Sequence, residues 1–595
     1  MKTQYIIDVE IYKNYFLLSA LNTSTNKVKH FEFYEGKPLD KKTLLRLMST
    51  QTTVSFNGNS FDLPIIAAAL KGWPVDKLKG LCDKIITSNQ PSWAITRDLD
   101  LRVPDDWDHI DIIEVAPGQS SLKIYGGRLN SKTIQDLPIE PSATITPEQH
   151  KDLRDYCVND LTTTKELFDS LSKQIALRVS MSEQYGMDLR SKSDAQIAET
   201  VIKSELQKET GKTYKKPDVP HGMQFKYQNP KIVSFKSQQL TSIFDTLLKM
   251  RFSLGLNGAV KMPKELADTK IKIGGAEYQM GIGGLHSCEK SQLVRVNSGE
   301  CLLEVDVASY YPNIILQQSL APKSMGLPFL RVYQSILDRR IQAKRAGDKV
   351  TADSLKLATN GSFGKLGSKW SALYAPDLLL QTTITGQLCL LMLIENLEGA
   401  GFTVYSANTD GIVVKCKKDE LDELRNICFD WMLDTSYELE ETHYKLLASR
   451  DVNNYLAVTT DNQVKRKGTF ANGGLSKNPD CNICFTAVAE FLANQTPIAK
   501  TIRECNDIRQ FVTLRKVTGG AKWQGEFLGK AVRFYYSAKV DDNINIEYIK
   551  NGNKVPKSNG GKPLMTLPTV FPDDVNYDRY IDYANDLLKG VGFNA

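Results

Sequence analysis

The chain has 595 residues, 41% of them apolar and 24% charged, with a formal net charge of +6. A chain of that length exceeds one hydrophobic core and calls for about three to five domains. The composition is that of an ordinary soluble protein, without internal repeats or low-complexity tracts, and no stretch reads as apolar for long enough to cross a bilayer.

Ten cysteines are scattered without a disulfide framework, which favours a reducing, cytoplasmic compartment. The opening MKTQYIID leads into a strand rather than a secretory signal. The mild positive charge is compatible with nucleic acid but does not point to it.

Residues 5–12 read as a strand, whose period of two puts Asp8 and Glu10 on one face with Val9 opposite. Either this is an edge strand with a solvated acidic face, or two acids share a buried site; Ile6 and Ile7 favour burial. Residues 54–58 read as a second strand, and Asn57 to Asp62 opens a helix over 63–70, with Asp62 as a helix cap or an inward acid. A strand over 109–113 precedes Ser121-Leu122-Lys123. Thr146-Pro147-Glu148-Gln149 has capping-box spacing with proline at the first helical position, so a helix starts there. Tyr156 and Asp160 share one face of it, as a surface pair or as part of a site.

Further on, residues 212–236 are basic with tyrosines and prolines, a nucleic-acid path or a solvated linker. The glycine-rich stretch 278–287 lacks dinucleotide-fingerprint spacing. Residues 301–307 read as a strand that places Asp306 at its end. Helices over 330–345 and 351–362, separated by Ala346-Gly347-Asp348, form an antiparallel hairpin; Arg340 with Lys344, and Lys356 with Asn360, each share a face. Strands over 402–407 and 412–415 are joined by Asn408-Thr409-Asp410-Gly411, which puts Asp410 at a tight tip. Lys465-Arg466-Lys467-Gly468 is a basic turn. Cys481 and Cys484 have zinc-ligand spacing but no second ligand pair. A strand over 531–538 and a final helix over 578–589 close the chain.

Asp8, Glu10, Asp62, Tyr156 and Asp160 together resemble the DEDD-type 3′ to 5′ exonuclease domain in its tyrosine-containing form, with Ser121-Leu122-Lys123 matching its single-strand-binding segment. The later motifs resemble a compact, phage-like family B DNA polymerase. They are Asp306, Ser309, Tyr311 and Pro312; Lys356, Asn360, Phe363 and Gly364; Thr409 to Gly411; and Lys467-Gly468.

The resemblance implies a multidomain fold of α/β and α+β parts. An RNase H-like exonuclease domain would occupy 1–185 and a connecting segment with the N-terminal palm 186–300. Palm (301–325), fingers (326–364), palm again (365–475) and thumb (476–595) would follow. It further implies a DNA-directed DNA polymerase with proofreading, replicative and of viral origin in a bacterial host; the alternative is an exonuclease with an impaired polymerase site. Asp306 and Asp410, and separately Asp8, Glu10, Asp62 and Asp160, would each hold two Mg2+ (or Mn2+) ions.

Arg340, Lys344, Lys356 and Asn360 would bind the triphosphate, Tyr311 would exclude a 2′ hydroxyl, Phe363 would stack near the nascent pair, and Lys467 and Gly468 would grip DNA. Implied partners are primer-template DNA and deoxynucleotides, with helicase, primase and single-strand-binding protein as candidates, no membrane, and a monomeric state. The short spacings around Lys356 lack the insertions of protein-primed members, which implies an ordinary primer. Three departures stand out: Asn408 where an Asp is usual, Gly361 for Ser, and Phe363 for Tyr.

Overall fold

The computed structural model describes residues 3–471 and 473–593. The chain divides into two compact units, Met1–Ser193 with Asn472–Cys484 and Ala499–Ile581, and Asp194–Ala471 with Phe485–Ile498 and Asp582–Ala595. Both mix helices with sheets, so the chain is a mixed α/β multidomain protein.

The first unit is built on strands β1 (Gln4–Ile11), β2 (Tyr15–Asn22), β3 (Val28–Tyr34), β4 (Thr52–Ser55) and β5 (His109–Asp111), in the order β3-β2-β1-β4-β5. β1, β2 and β3 pair antiparallel, whereas β4 and β5 join in parallel. Buried Ile7, Val9 and Ile11 alternate with Asp8 and Glu10 along β1, as the period of two requires. Helices α1 (Asp62–Lys71), α2 (Leu122–Leu129) and α3 (His150–Ser170) carry the other acidic-motif residues. The capping box at Thr146 forms as expected, but around a 3-10 turn, Pro147–Gln149, from which α3 continues.

A second sheet, centred on the strands Thr513–Trp523 and Glu526–Tyr536, belongs to the same unit. Its Arg533 is fully buried and donates to the carbonyls of Leu564 (2.8 Å) and Ser131 (2.9 Å). Such a charge is tolerable only because its donors are satisfied.

His109 is enclosed in β5 between the hydroxyls of Thr53 (2.8 Å) and Ser55 (3.1 Å). Burial, aided by the nearby Arg190 charge, holds its imidazole down to about 3. The folded protein thus resists a proton that the unfolded chain accepts near its ordinary 6.5, so stability is lost as pH falls from about 6.5 toward 3. Denaturant titrations across that window are expected to show a shallower pH dependence for His109→Gln than for the parent.

The second unit is organised by an antiparallel seven-stranded sheet: β6 (Gln292–Arg295), β7 (Glu300–Val307), β8 (Thr403–Ala407), β9 (Gly411–Lys417), β10 (Leu439–Asp451), β11 (Asn454–Thr459) and β12 (Val464–Arg466). The order is β8-β9-β7-β10-β11-β12, with β6 also pairing β10. Its helices are α4 (Asp194–Thr210), α5 (Tyr310–Gln317), α6 (Leu327–Arg345), α7 (Lys349–Leu366) and α8 (Pro376–Gly399).

One sequence reading is corrected here. By length and composition α8 is long and apolar enough to cross a membrane. It is instead the core helix of this unit, packed with Leu303, Val305, Ile412, Val414 and Trp431, and the Trp431 indole donates to the Cys389 carbonyl (2.8 Å). A helix that is apolar all round is buried, and a large domain core supplies that environment as well as lipid does.

α6 and α7 form the expected hairpin but run longer at the start of α6 and at both ends of α7. Asp348 caps α7 by accepting from the Thr351 N–H (3.1 Å). α4 packs against α7, and the crossing falls at Gly361. A Cβ there would lie 2.8 Å from the Ala198 Cβ and 3.0 Å from the Asp194 carbonyl oxygen. The departure from Ser is therefore a packing requirement. Gly361→Ser is expected to destabilise by about 1–3 kcal/mol through overpacking. Gly364→Ala, where a Cβ meets nothing within 4 Å, should be neutral or slightly stabilising in the same urea titration.

Two candidate carboxylate sites

In the first unit β1 delivers Asp8 and Glu10, and α3 delivers Asp160, so that each offers an oxygen within 4.8 Å of the others. Among the described residues this is the one group of three or more potential ligands so arranged. Asp62 is 2% exposed in the first turn of α1. It is no helix cap, since Phe61 holds that position, and its Oδ1 is buried without a hydrogen-bond partner.

Packing like charges out of water raises their affinity for protons. Burial, then the charge of Asp160, pushes Asp8 up to about 7, with Lys123 opposing. Burial and Asp8 push Glu10 well above the carboxylate range, and burial, Asp8 and Asp111 do the same to Asp62. Tyr156 lies on the face of α3 that carries Asp160.

The turn into α1 is held from outside the motif. Asp111, at the end of β5, accepts from the backbone N–H groups of Asn57 (2.8 Å) and Asn59 (3.0 Å). Between them Gly58 is obligatory, because a Cβ would sit 1.8 Å from the Ser55 hydroxyl. Ser121 precedes α2 and is exposed, and Leu122 is half-buried against the apolar core. The next residue, Lys123, enters the site: it pairs with Asp160, and its ammonium lies 4.4 Å from the centre of the Tyr156 ring.

In the second unit Asp306 lies opposite Gly411 where β7 and β9 pair, and the Val307 N–H donates to the Asp410 carbonyl (2.7 Å). The strand ends therefore bring Asp306 and Asp410 side by side in the backbone. Gly411 is required by close approach, since a Cβ there would fall 2.0 Å from the Asp306 carboxylate. Burial, then Glu304, pushes Asp306 up to about 7; Lys465 opposes and Asp410 adds to the rise. Glu304, 3% exposed, accepts from both the Tyr444 hydroxyl and the Lys465 ammonium.

Asn408 is engaged with the backbone of its own turn. Its Oδ1 accepts from the N–H groups of Asp410 (3.0 Å) and Gly411 (2.9 Å), and so shapes the turn that carries Asp410. Asn408→Ala should therefore disturb Asp410, costing about 1 kcal/mol in a melting experiment. Asn408→Asp keeps both acceptor contacts but adds a negative charge beside Asp410, and is expected to melt at or slightly below the parent.

Tyr311 stacks on Phe363 with ring centres 4.2 Å apart, and its hydroxyl donates to the Gly283 carbonyl (2.9 Å). The glycine-rich stretch thus becomes a turn beside this site, between strands that pair Met280 with Leu285. Gln387 of α8 clasps both the N–H (2.9 Å) and the carbonyl (2.8 Å) of Gly281. Gly284 lies so close to Thr409 that a Cβ would be 2.7 Å from its hydroxyl.

Arg340 donates to the Ser309 hydroxyl (3.2 Å). Lys344, Lys356 and Asn360 are exposed, the last two on the face of α7 that carries Phe363. Lys467 lies 5.7 Å from the Tyr455 ring centre, and Gly468 adopts a φ of +58° against the Asn453 carbonyl, where no side chain fits. Cys481 and Cys484 are buried, their thiols contacting the Thr513 hydroxyl (3.3 Å) and the Tyr580 carbonyl (3.3 Å) as packing groups.

Asp111, Glu304, Tyr444 and Gln387 lie outside the sequence motifs. Glu304 carries a signal, standing two residues before Asp306 on the same strand face; Gln387 has none. The donor set of the first unit fits divalent cations. Mutually repelling oxygens and an unpartnered buried carboxylate oxygen are what a small hard cation relieves. Asp306 and Asp410 are chemically suited as well, though they form no three-ligand group by themselves.

No protein-family model matches the chain, and no curated protein matches it. Among solved structures the chain is similar to the family B DNA polymerase from the hyperthermophilic archaeon Pyrobaculum calidifontis. The identity is 14% and the TM-score 0.43, over 100% of this chain and 78% of that one.

Proposed function

We propose that the chain is a DNA-directed DNA polymerase that extends a primer 3′ end with deoxynucleotides and proofreads through a 3′ to 5′ exonuclease site. One observation carries this reading. Asp306 and Asp410, far apart in sequence, lie side by side at the paired ends of β7 and β9, and a second acid cluster lies on β1 and α3, with Asp62 of α1 interacting with Asp8. A single hydrolytic site would need only one of these.

In the extension site, Asp306 and Asp410 would hold Mg2+ or Mn2+, two ions, which when bound supply positive charge for the primer 3′ oxygen and the triphosphate. Arg340, Lys344 and Lys356 lie on the facing helices α6 and α7 and would hold the phosphates, with Asn360 beside them. Tyr311 is fixed by Phe363 and by its bond to Gly283, so its ring is rigid enough to exclude a 2′ hydroxyl beneath the sugar. Lys467 and the tight Gly468 turn would contact the DNA backbone.

In the shortening site, Asp8, Glu10, Asp62 and Asp160 would hold the second ion pair. Tyr156 would orient the attacking water, while Ser121 and Leu122 steady the frayed 3′ end. The RNase H-like domain at 1–185, the palm, fingers and thumb segments, and a viral source in a bacterial host belong to this proposal.

A labelled primer on a longer template, incubated with Mg2+ with and without the four deoxynucleotides, tests it. Lengthening with nucleotides and shortening without them is the expected outcome. Shortening under both conditions would favour the second reading, an exonuclease with a disabled extension site, for which the Asn408 departure is the specific observation.

A further inference from the structure

Trp370, in the second unit between α7 and α8, is 75% exposed. Two ammonium groups meet its ring: Lys216, from a distant stretch of the chain, at 5.1 Å and the neighbouring Lys369 at 5.2 Å from the centroid. Neither is paired with a carboxylate among the described residues.

The arrangement is supported from behind. Gly258, at a φ of +79°, lies so close that a Cβ would be 2.9 Å from the Lys369 Cβ, and its carbonyl accepts from the Tyr374 hydroxyl (2.7 Å). Lys212 and Lys215 precede Lys216 in the basic stretch 212–236.

An exposed cation–π contact contributes about 0.5–1 kcal/mol, less than burying an indole would. Folding stability therefore gives little reason to leave this ring in water between two cations. An exposed π-face flanked by positive charge has the chemistry that binds unpaired bases, the ring stacking on the base and the ammoniums meeting flanking phosphates. A duplex offers no such base, because its bases are already stacked.

We propose that Trp370, Lys216 and Lys369 form a stacking platform for an unpaired base of single-stranded nucleic acid, and that its ligand is the template strand ahead of the primer end. The word template rests on the polymerase reading; the single-strand chemistry does not. α7, which carries Lys356, Asn360 and Phe363, ends just before Trp370, so the platform follows directly in the chain from the proposed nucleotide-binding face.

The test uses the full chain and a labelled primer-template in EDTA, which stops both extension and shortening. Affinity is read by fluorescence anisotropy for a 5′ thymidine overhang of either a single nucleotide or roughly ten, within the usual span of single-strand sites. The parent is expected to bind the long overhang at least about fivefold more tightly, consistent with stacking of one base. Trp370→Ala should lose that gain while binding the short overhang as before, and Trp370→Phe should keep most of it. Lys216→Ala with Lys369→Ala should weaken the gain and flatten its salt dependence.

The platform is refuted if the parent shows no gain with overhang length, or if the gain survives in Trp370→Ala. Failure of the polymerase reading shows itself separately, as no extension by the parent in Mg2+. An overhang gain lost in Trp370→Ala would then still establish the single-strand platform.

Discussion

On the proposed function, Asp306→Asn is expected to abolish primer extension, lowering it by at least about a thousandfold, while shortening of the same primer should stay within about twofold of the parent. Asparagine keeps the size of the side chain and an oxygen but removes the charge needed to hold a divalent cation. Asp306 sits where burial, Glu304 and Asp410 all disfavour that charge. The variant should therefore melt at or above the parent temperature. Loss of extension with unchanged or raised stability is the signature of a residue kept for chemistry at some cost to folding. Gel-resolved extension and shortening, with a melting curve beside them, check it. Equal loss of both activities would mean that the two sites are not independent.

The mirror experiment is Asp8→Ala with Glu10→Ala, which should remove shortening by at least about a thousandfold and leave extension in place. Stability again discriminates. With no cation bound, the cluster crowds repelling oxygens, so the double variant should melt higher than the parent in EDTA. Added Mn2+ should raise the parent's melting temperature and the double variant's much less, because a ligand that binds only the folded state stabilises it. A cation-induced shift of equal size in both proteins would remove Asp8 and Glu10 from any ligand set.

Much of this is legible in the sequence, and particular residues show why. Asp8 and Glu10 share a face because a strand alternates, and the Thr146 capping box marks the turn from which α3 continues. The Asn408 to Gly411 turn could be placed because glycine and asparagine punctuate hairpins. These are local rules acting over a few residues. Other features had no local signature. The glycine at 361 reads as a lost hydroxyl until α4, more than one hundred and fifty residues upstream, is seen crossing α7 there. The apolar run of α8 reads only as apolar; what surrounds it decides whether it is a core or a membrane helix.

By itself the sequence determined the element types, the acids that stand on common faces, and their grouping into two sets of motifs, because backbone periodicity and turn chemistry are short-range. Tertiary structure alone decided that Asp306 and Asp410 meet, that Lys123 reaches Asp160, and that Lys216 reaches Trp370. Those contacts join distant parts of the chain. They are set by which apolar faces are buried together, a property of the whole packed core that no short window contains.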